Sequence, residues 1–151
     1  MTLFLGTFTG RLDSKGRVTF PPSFRAILRL TPEATSFILR PSHRAECVEC
    51  WTPLGFETFA PAMQSLDLFS EDEIDMSYAL YADASYCEPD KEGRAVLPEK
   101  LVKKAGLTDA VSFVGLRNRF EIWEPARYEA HLALSLARLK ERRLTLPQVV
   151  A

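Results

Sequence analysis

Apolar and polar positions alternate through residues 3–12, where Phe8 is flanked by Thr7 and Thr9, and that period of two predicts a β-strand. Residues 17–20 predict the return strand, with Val18 and Phe20 on one face and Arg17 and Thr19 on the other. Arg17 is therefore directed away from the core. Pro21 and Pro22 end that strand and open a short helix whose apolar stripe is Phe24, Ile27 and Leu28. Residues 35–39 and 47–51 predict two further strands. Residues 53–66 predict one helix with Phe56, Phe59, Ala60 and Met63 on one side. The character then changes over residues 67–82, acidic at first and then able to continue a second helix through Tyr78, Ala79, Leu80 and Tyr81; a junction between two units belongs here. A last helix is predicted from Pro125 to about Arg143, with Tyr128, Leu132, Leu136 and Leu139 at near-helical spacing and Arg138, Lys140, Arg142 and Arg143 toward its C-terminal end, where cations suit the helix dipole. Residues 144–151 carry no pattern.

Between the first two strands lies Asp13-Ser14-Lys15-Gly16-Arg17, and the same arrangement returns 77 residues later as Asp90-Lys91-Glu92-Gly93-Arg94. Asp at the first position of a type I turn and Gly at the fourth, where φ must be positive, is the composition of a short β-hairpin loop. Asp13, Gly16, Asp90 and Gly93 are the expected turn-forming residues. More than the turn is repeated: Pro21 pairs with Pro98 and Leu30 with Leu107 at the same spacing, and Val48-Glu49-Cys50-Trp51-Thr52-Pro53 matches Phe120-Glu121-Ile122-Trp123-Glu124-Pro125 at a spacing of 72. The first copy thus has the longer connection, around residues 40–46. The chain reads as a tandem duplication of a unit of roughly fifty residues: hairpin, short helix, two strands, helix.

Composition supports a folded, soluble chain of one ordinary domain or two small ones, with 46% apolar residues in 151. The net charge of −1 taken alone argues against a nucleic-acid partner. Its distribution reverses that. Residues 11–29 hold five bases (Arg11, Lys15, Arg17, Arg25, Arg29) against Asp13, net +4, whereas residues 67–83 hold six acids and no base. The absence of a long apolar run or a signal-peptide start predicts a cytoplasmic protein with no membrane association, and three cysteines leave no complete disulfide framework.

Neither histidine, His43 or His131, stands in a nucleophile motif, no Gly-rich phosphate loop occurs, and Glu71-Asp72-Glu73 reads as a solvated face. No catalytic residue, cofactor or small-molecule substrate is expected. Cys47 and Cys50 have a metal-binding spacing, but they align with Arg119 and Ile122 in the second copy and residues three apart on a strand face opposite sides, so no metal is expected. The basic loop tips carry two open readings. They are solvated turns, or Arg11, Lys15, Arg17, Lys91 and Arg94 meet the phosphates and base edges of double-stranded DNA.

The residues that carry more are Gly6-Thr7-Phe8, Leu12-Asp13-Ser14-Lys15-Gly16-Arg17, Phe24-Arg25, the second Asp90-to-Arg94 loop, and Asn118-Arg119-Phe120-Glu121-Ile122-Trp123. Together, over residues 4 to about 139, they resemble the bacterial MraZ family. The resemblance implies an α+β fold of two tandem AbrB-like (SpoVT-AbrB) swapped-hairpin β-barrel modules, a pseudo-dimer within one chain with flanking helices: module 1 at 7–54, a helical acidic connector at 55–82, module 2 at 83–126, and a C-terminal helix and tail at 127–151. It also implies a nucleoid-associated transcriptional regulator, typically a repressor. Such a protein would bind promoter repeats upstream of its own division and cell-wall gene cluster and self-associate into a ring. The family's motif residues fall on Asp13, Lys15, Gly16 and Arg17 and on Asp90, Gly93 and Arg94. Glu92 stands where the first loop has Lys15, so the first tip is expected to be the stronger DNA contact. The alternative, from another class, is a protein-interaction module of the AbrB-like antitoxin type.

Overall fold

Each copy of the repeat folds into the same succession of elements in a computed structural model that describes residues 3–147; residues 148–151 of the tail lie outside the described residues. The first copy comprises β1 (Thr7–Arg11), β2 (Arg17–Thr19), α1 (Pro22–Leu28), β3 (Phe37–Pro41) and β4 (Val48–Trp51). Short helices α2 (Pro53–Phe56), α3 (Phe59–Gln64) and α4 (Glu71–Ser77), then one π-helical turn (Tyr78–Ala82), lead to the second copy. That copy comprises β5 (Ser85–Cys87), β6 (Arg94–Val96), α5 (Glu99–Lys104), β7 (Ala110–Gly115), β8 (Phe120–Trp123) and α6 (Pro125–Glu141). The α+β class is as expected.

Within each hairpin the two arms do not continue to pair with each other. Asp13 and Arg17 close the first loop through Asp13 N–H to the Arg17 carbonyl at 3.0 Å, but beyond that pair the arms part. β1 pairs antiparallel with β7 of the second copy, and β5 pairs with β3 of the first. β2 and β6 pair with each other. The resulting six-stranded sheet runs β1-β7-β8-β4-β3-β5, a palindrome in repeat units, with the two-stranded β2–β6 ribbon beside it. An approximate two-fold axis passes between Glu49 and Glu121, which face each other across β4 and β8, and between Val18 and Ala95 on the ribbon. All three-residue strands of such a short unit would be marginal as an isolated hairpin. Exchange gives each one a partner.

Two other expectations are corrected. The first strand starts at Thr7 because Gly6 takes φ +90°, and Phe4 instead makes a separate bridge to Arg117. Residues 53–66 form two helices, not one. Pro61 lacks an N–H and tolerates only the first turn of a helix, so α3 restarts at Phe59, while the Thr58 hydroxyl donates to the Gly55 carbonyl at 2.6 Å across the break. Downstream, Ser70 caps α4 by accepting from Glu73 N–H, and Glu71, Asp72 and Glu73 occupy its first turn, where the helix dipole favours acids.

A single aromatic core joins the copies. Phe120, fully buried, lies with ring centroids 4.8 Å from Phe24, 5.2 Å from Phe37, 5.3 Å from Phe4 and 5.7 Å from Phe20. Four of these five rings come from the first copy and Phe120 from the second. Beneath the sheet, Arg40 is only 1% exposed and is held by both Glu49 carboxylate oxygens at 3.2 and 3.3 Å, by the Pro41 and Ala79 carbonyls, and by His43 Nδ1. The Ala79 bond ties the π-helical turn to the sheet. Cys47 and Cys50 separate onto different apolar clusters, as alternation demands. His131 stacks on Trp123 with centroids 4.6 Å apart.

Candidate nucleic-acid interface

Both loops are built by the same hydrogen bonds. In the first, Asp13 Oδ1 accepts from the Lys15 and Arg17 backbone N–H groups at 2.9 Å each, and Oδ2 accepts from Arg17 Nε at 2.6 Å. In the second, Asp90 Oδ1 accepts from Glu92 and Arg94 N–H at 2.9 Å each, and Oδ2 from Arg94 Nε at 3.0 Å. The Arg17 backbone N–H, then its guanidinium, hold the Asp13 carboxyl below the usual carboxylate range; the Arg94 N–H and then its side chain do the same for Asp90. Gly16 and Gly93 take φ of +80° and +84°, the left-handed conformation that closes each turn.

The ribbon register brings the two tips together. Arg17 faces Val96 and Thr19 faces Arg94, so the exposed face carries Arg17 and Arg94 at diagonal positions, their Cα atoms roughly 8 Å apart from strand geometry. Val18 and Ala95 fill the buried face. The exchange is completed by Leu97 N–H to the Gly16 carbonyl at 2.8 Å and Phe20 N–H to the Gly93 carbonyl at 2.9 Å, which lock each loop to the other copy's strand. Arg11 is exposed at the end of β1, and Lys15 and Lys91 are exposed at the turns. Of the five cations named from the sequence, Lys15 and Lys91 stand on the two loops, Arg17 and Arg94 on the ribbon between them, and Arg11 at the end of β1 leading into the first loop.

The two tips differ in charge. Residues 11–17 hold three bases and one acid, net +2; the equivalent residues 88–94 hold two bases and three acids, net −1. Arg94 is also paired with Glu92 at 2.5 Å in addition to Asp90, and both carboxylates push its guanidinium pKa up, Asp90 first. Among the described residues Arg17 pairs with Asp13 alone. Two cations near the second loop were outside the sequence-based site. Arg25, on α1 of the first copy, lies directly over Gly93 and donates Nε to the Phe20 carbonyl at 3.1 Å, and Arg29 follows one turn later. Their sequence signals were membership of the basic stretch 11–29 and, for Arg25, the Phe24-Arg25 pair that carries the family resemblance; their proximity to a loop more than 60 residues away follows from the strand exchange.

The cysteines offer no reactive thiol here. Burial pushes Cys87 up to about 11 and raises Cys47 and Cys50 further. Among the described residues no group of three or more His, Cys, Asp or Glu side chains is disposed to hold a metal, and no helix is long and apolar enough to cross a membrane.

Comparison with known proteins agrees with the internal repeat. A family model described as MraZ protein, antitoxin-like, matches twice, over residues 3–77 and 80–148. The chain is 46% identical to the transcriptional regulator MraZ of Gluconacetobacter diazotrophicus over 97% of its length and 93% of the relative's. It is 50% identical to that of Gluconobacter oxydans over 83% and 77%, and 36% identical to that of Rickettsia bellii over 97% of each chain. With two family matches that together span almost every residue and relatives aligned nearly end to end, the chain belongs to the MraZ family.

Proposed function

We propose that this protein is a sequence-specific DNA-binding transcriptional regulator that represses its own division and cell-wall gene cluster. In this reading the two copies are SpoVT-AbrB-like modules, bounded at 7–54 and 83–126, that form an intramolecular swapped-hairpin pseudo-dimer on the nucleoid. The observation that carries the reading is the ribbon: two antiparallel strands with Arg17 and Arg94 on one solvent face, flanked by two turns that expose Lys15 and Lys91, with Arg11 exposed at the end of β1. A two-stranded ribbon fits a major groove about 12 Å wide, where Arg reads guanine and the turn cations meet phosphates. The relatives' printed name, transcriptional regulator, is in accord.

Two tips give few phosphate contacts, so tight binding requires several copies of the chain on repeated sites, as a ring would display them. The protein has no catalytic role in this account. The test is binding to the DNA just upstream of its own gene against scrambled DNA of equal length, over a salt titration. Preference for the upstream DNA with affinity falling steeply as salt rises supports it. Equal affinity for both, or no binding at low salt, overturns it.

A second reading is favoured by one observation. Leu68 and Phe69 are 74% and 79% exposed on the acidic connector, and the family description includes antitoxin-like. A protein partner docking there would replace DNA as the ligand if the titration fails.

A further inference from the structure

The second loop is net acidic, and the strand exchange places a cleft of about 250 Å³ beside it, lined by Arg25 and Arg29 of the first copy and by Glu88, Asp90 and Lys91 of the second. Asp90 is already engaged by Arg94 and the loop backbone. Among the described residues, Arg29 and Lys91 make no side-chain hydrogen bond or ion pair, and Arg25 uses only Nε, leaving both terminal nitrogens free. Three cations therefore share one opening with Glu88 as the only uncommitted acid. Unpaired guanidinium groups converging on a cleft are a recognition site for an oxyanion, since two planar forks match phosphate geometry.

The first loop has no such neighbour. At the spacing of 77, Arg25 and Arg29 correspond to Val102 and Gly106. A Cβ placed on Gly93 would meet the Arg25 guanidinium, whereas one placed on Gly16 would meet only the Leu97 carbonyl and Val96. The two tips are thus electrostatically complete in different ways. The first carries its own Lys15, and the second, with Glu92 in that place, receives Arg25 and Arg29 from the other copy's helix.

Resting on the DNA-binding reading above, we infer that Arg25 and Arg29 form with Lys91 a composite site for a backbone phosphodiester of the DNA facing the second loop, assembled across the two copies. These residues position the second tip and read no base. Their loss weakens binding to every sequence alike, whereas loss of Arg17 removes the preference for the cognate sequence.

The experiment uses the full chain with upstream and scrambled DNA, each titrated with salt, for wild type, Arg29→Gln, Arg29→Lys, Arg25→Gln and the Arg25→Gln/Arg29→Gln double variant, each with its thermal midpoint. Every phosphate contact removed should lower the slope of log K against log salt by about 0.9. Arg29, an exposed side chain on the rim of the cleft, is the clean position: Arg29→Gln should lose about one such unit on both DNAs with an unchanged thermal midpoint, and Arg29→Lys should retain it. The double variant should lose about two. Wild-type slope and affinity in Arg29→Gln and in the double variant would overturn the inference while leaving the DNA-binding reading intact. Equal losses in Arg29→Lys and Arg29→Gln would also overturn it, as a packing role. Wild-type protein that binds neither DNA at low salt would instead defeat the underlying reading, and this inference with it.

Discussion

Asp13 divides its two carboxylate oxygens between backbone and side chain: Oδ1 orders the turn and Oδ2 orients Arg17. The pair is solvent-exposed, so it adds little to global stability, and its consequence is placement of the guanidinium. Arg17→Ala is expected to weaken DNA binding at least ~10-fold, in the range of one lost base contact, without moving the thermal midpoint. Arg94→Ala should cost less, because Asp90 and Glu92 already occupy its guanidinium. Binding curves and melts of the two variants check both statements; equal affinity of Arg17→Ala and wild type would count against the assignment. The depressed Asp13 carboxyl favours the ordered loop above the ordinary carboxylate range, and that contribution is lost as pH falls through its lowered folded value. Loop order should therefore persist through mildly acidic solution. The three thiols are buried, Cys87 at the end of β5 just before the second loop. With Cys87 raised to about 11 and the other two higher, they should resist alkylation at neutral pH in the native state and all react once the chain is unfolded.

At the scale of elements, the strands were legible and their partners were not. Alternation marked Val18 and Phe20 as inward and Arg17 as outward, and all three are so placed. No period in the sequence distinguishes a hairpin whose arms pair with each other from one whose arms pair with a second hairpin. The decision rests on the non-local bonds from Leu12 N–H to the Asp109 carbonyl and from Phe20 N–H to the Gly93 carbonyl. The repeat also hid an asymmetry. Trp51 Nε1 donates to Glu49 and Trp123 Nε1 to Glu121, the same bond in each copy, yet only Glu49 also meets a buried arginine. Glu49→Ala would leave the Arg40 guanidinium without its counter-charge and should destabilise by about 3–5 kcal/mol in denaturant unfolding. The exposed His43 joins this cluster through its ring nitrogen on Arg40, and its pKa is lowered first by partial desolvation of the ring and then by the Arg40 charge. The unfolded chain protonates His43 at higher pH than the folded one. Stability should thus decline as pH falls through the ordinary imidazole range, and His43→Gln should flatten that part of the profile.

For the molecule as a whole, the exchange makes two sequence repeats into one cooperative unit. β1 and β5 find their ladders only in the opposite copy, and Phe120 packs chiefly on rings from the first. A single unfolding transition is expected by circular dichroism and calorimetry alike, and Phe120→Ala should lower its stability by about 3–5 kcal/mol without splitting it. Fragments ending or starting at the π-helical turn should be unfolded separately and regain sheet signal on mixing. Two independent transitions would contradict the shared core.

The sequence by itself determined the duplication, the two Asp-x-x-Gly-Arg turns, the inward and outward faces of the strands, and the cations at the tips. All of these depend on interactions within a few residues, which propensity, periodicity and turn chemistry encode directly. Only the tertiary structure decided which strands pair, that Arg17 and Arg94 share one exposed ribbon face, and that Arg25 and Arg29 stand over the opposite copy's loop. Those facts depend on contacts between residues about fifty to a hundred positions apart, and such contacts are selected by the burial of a common core and the completion of backbone hydrogen bonds, which no local pattern records.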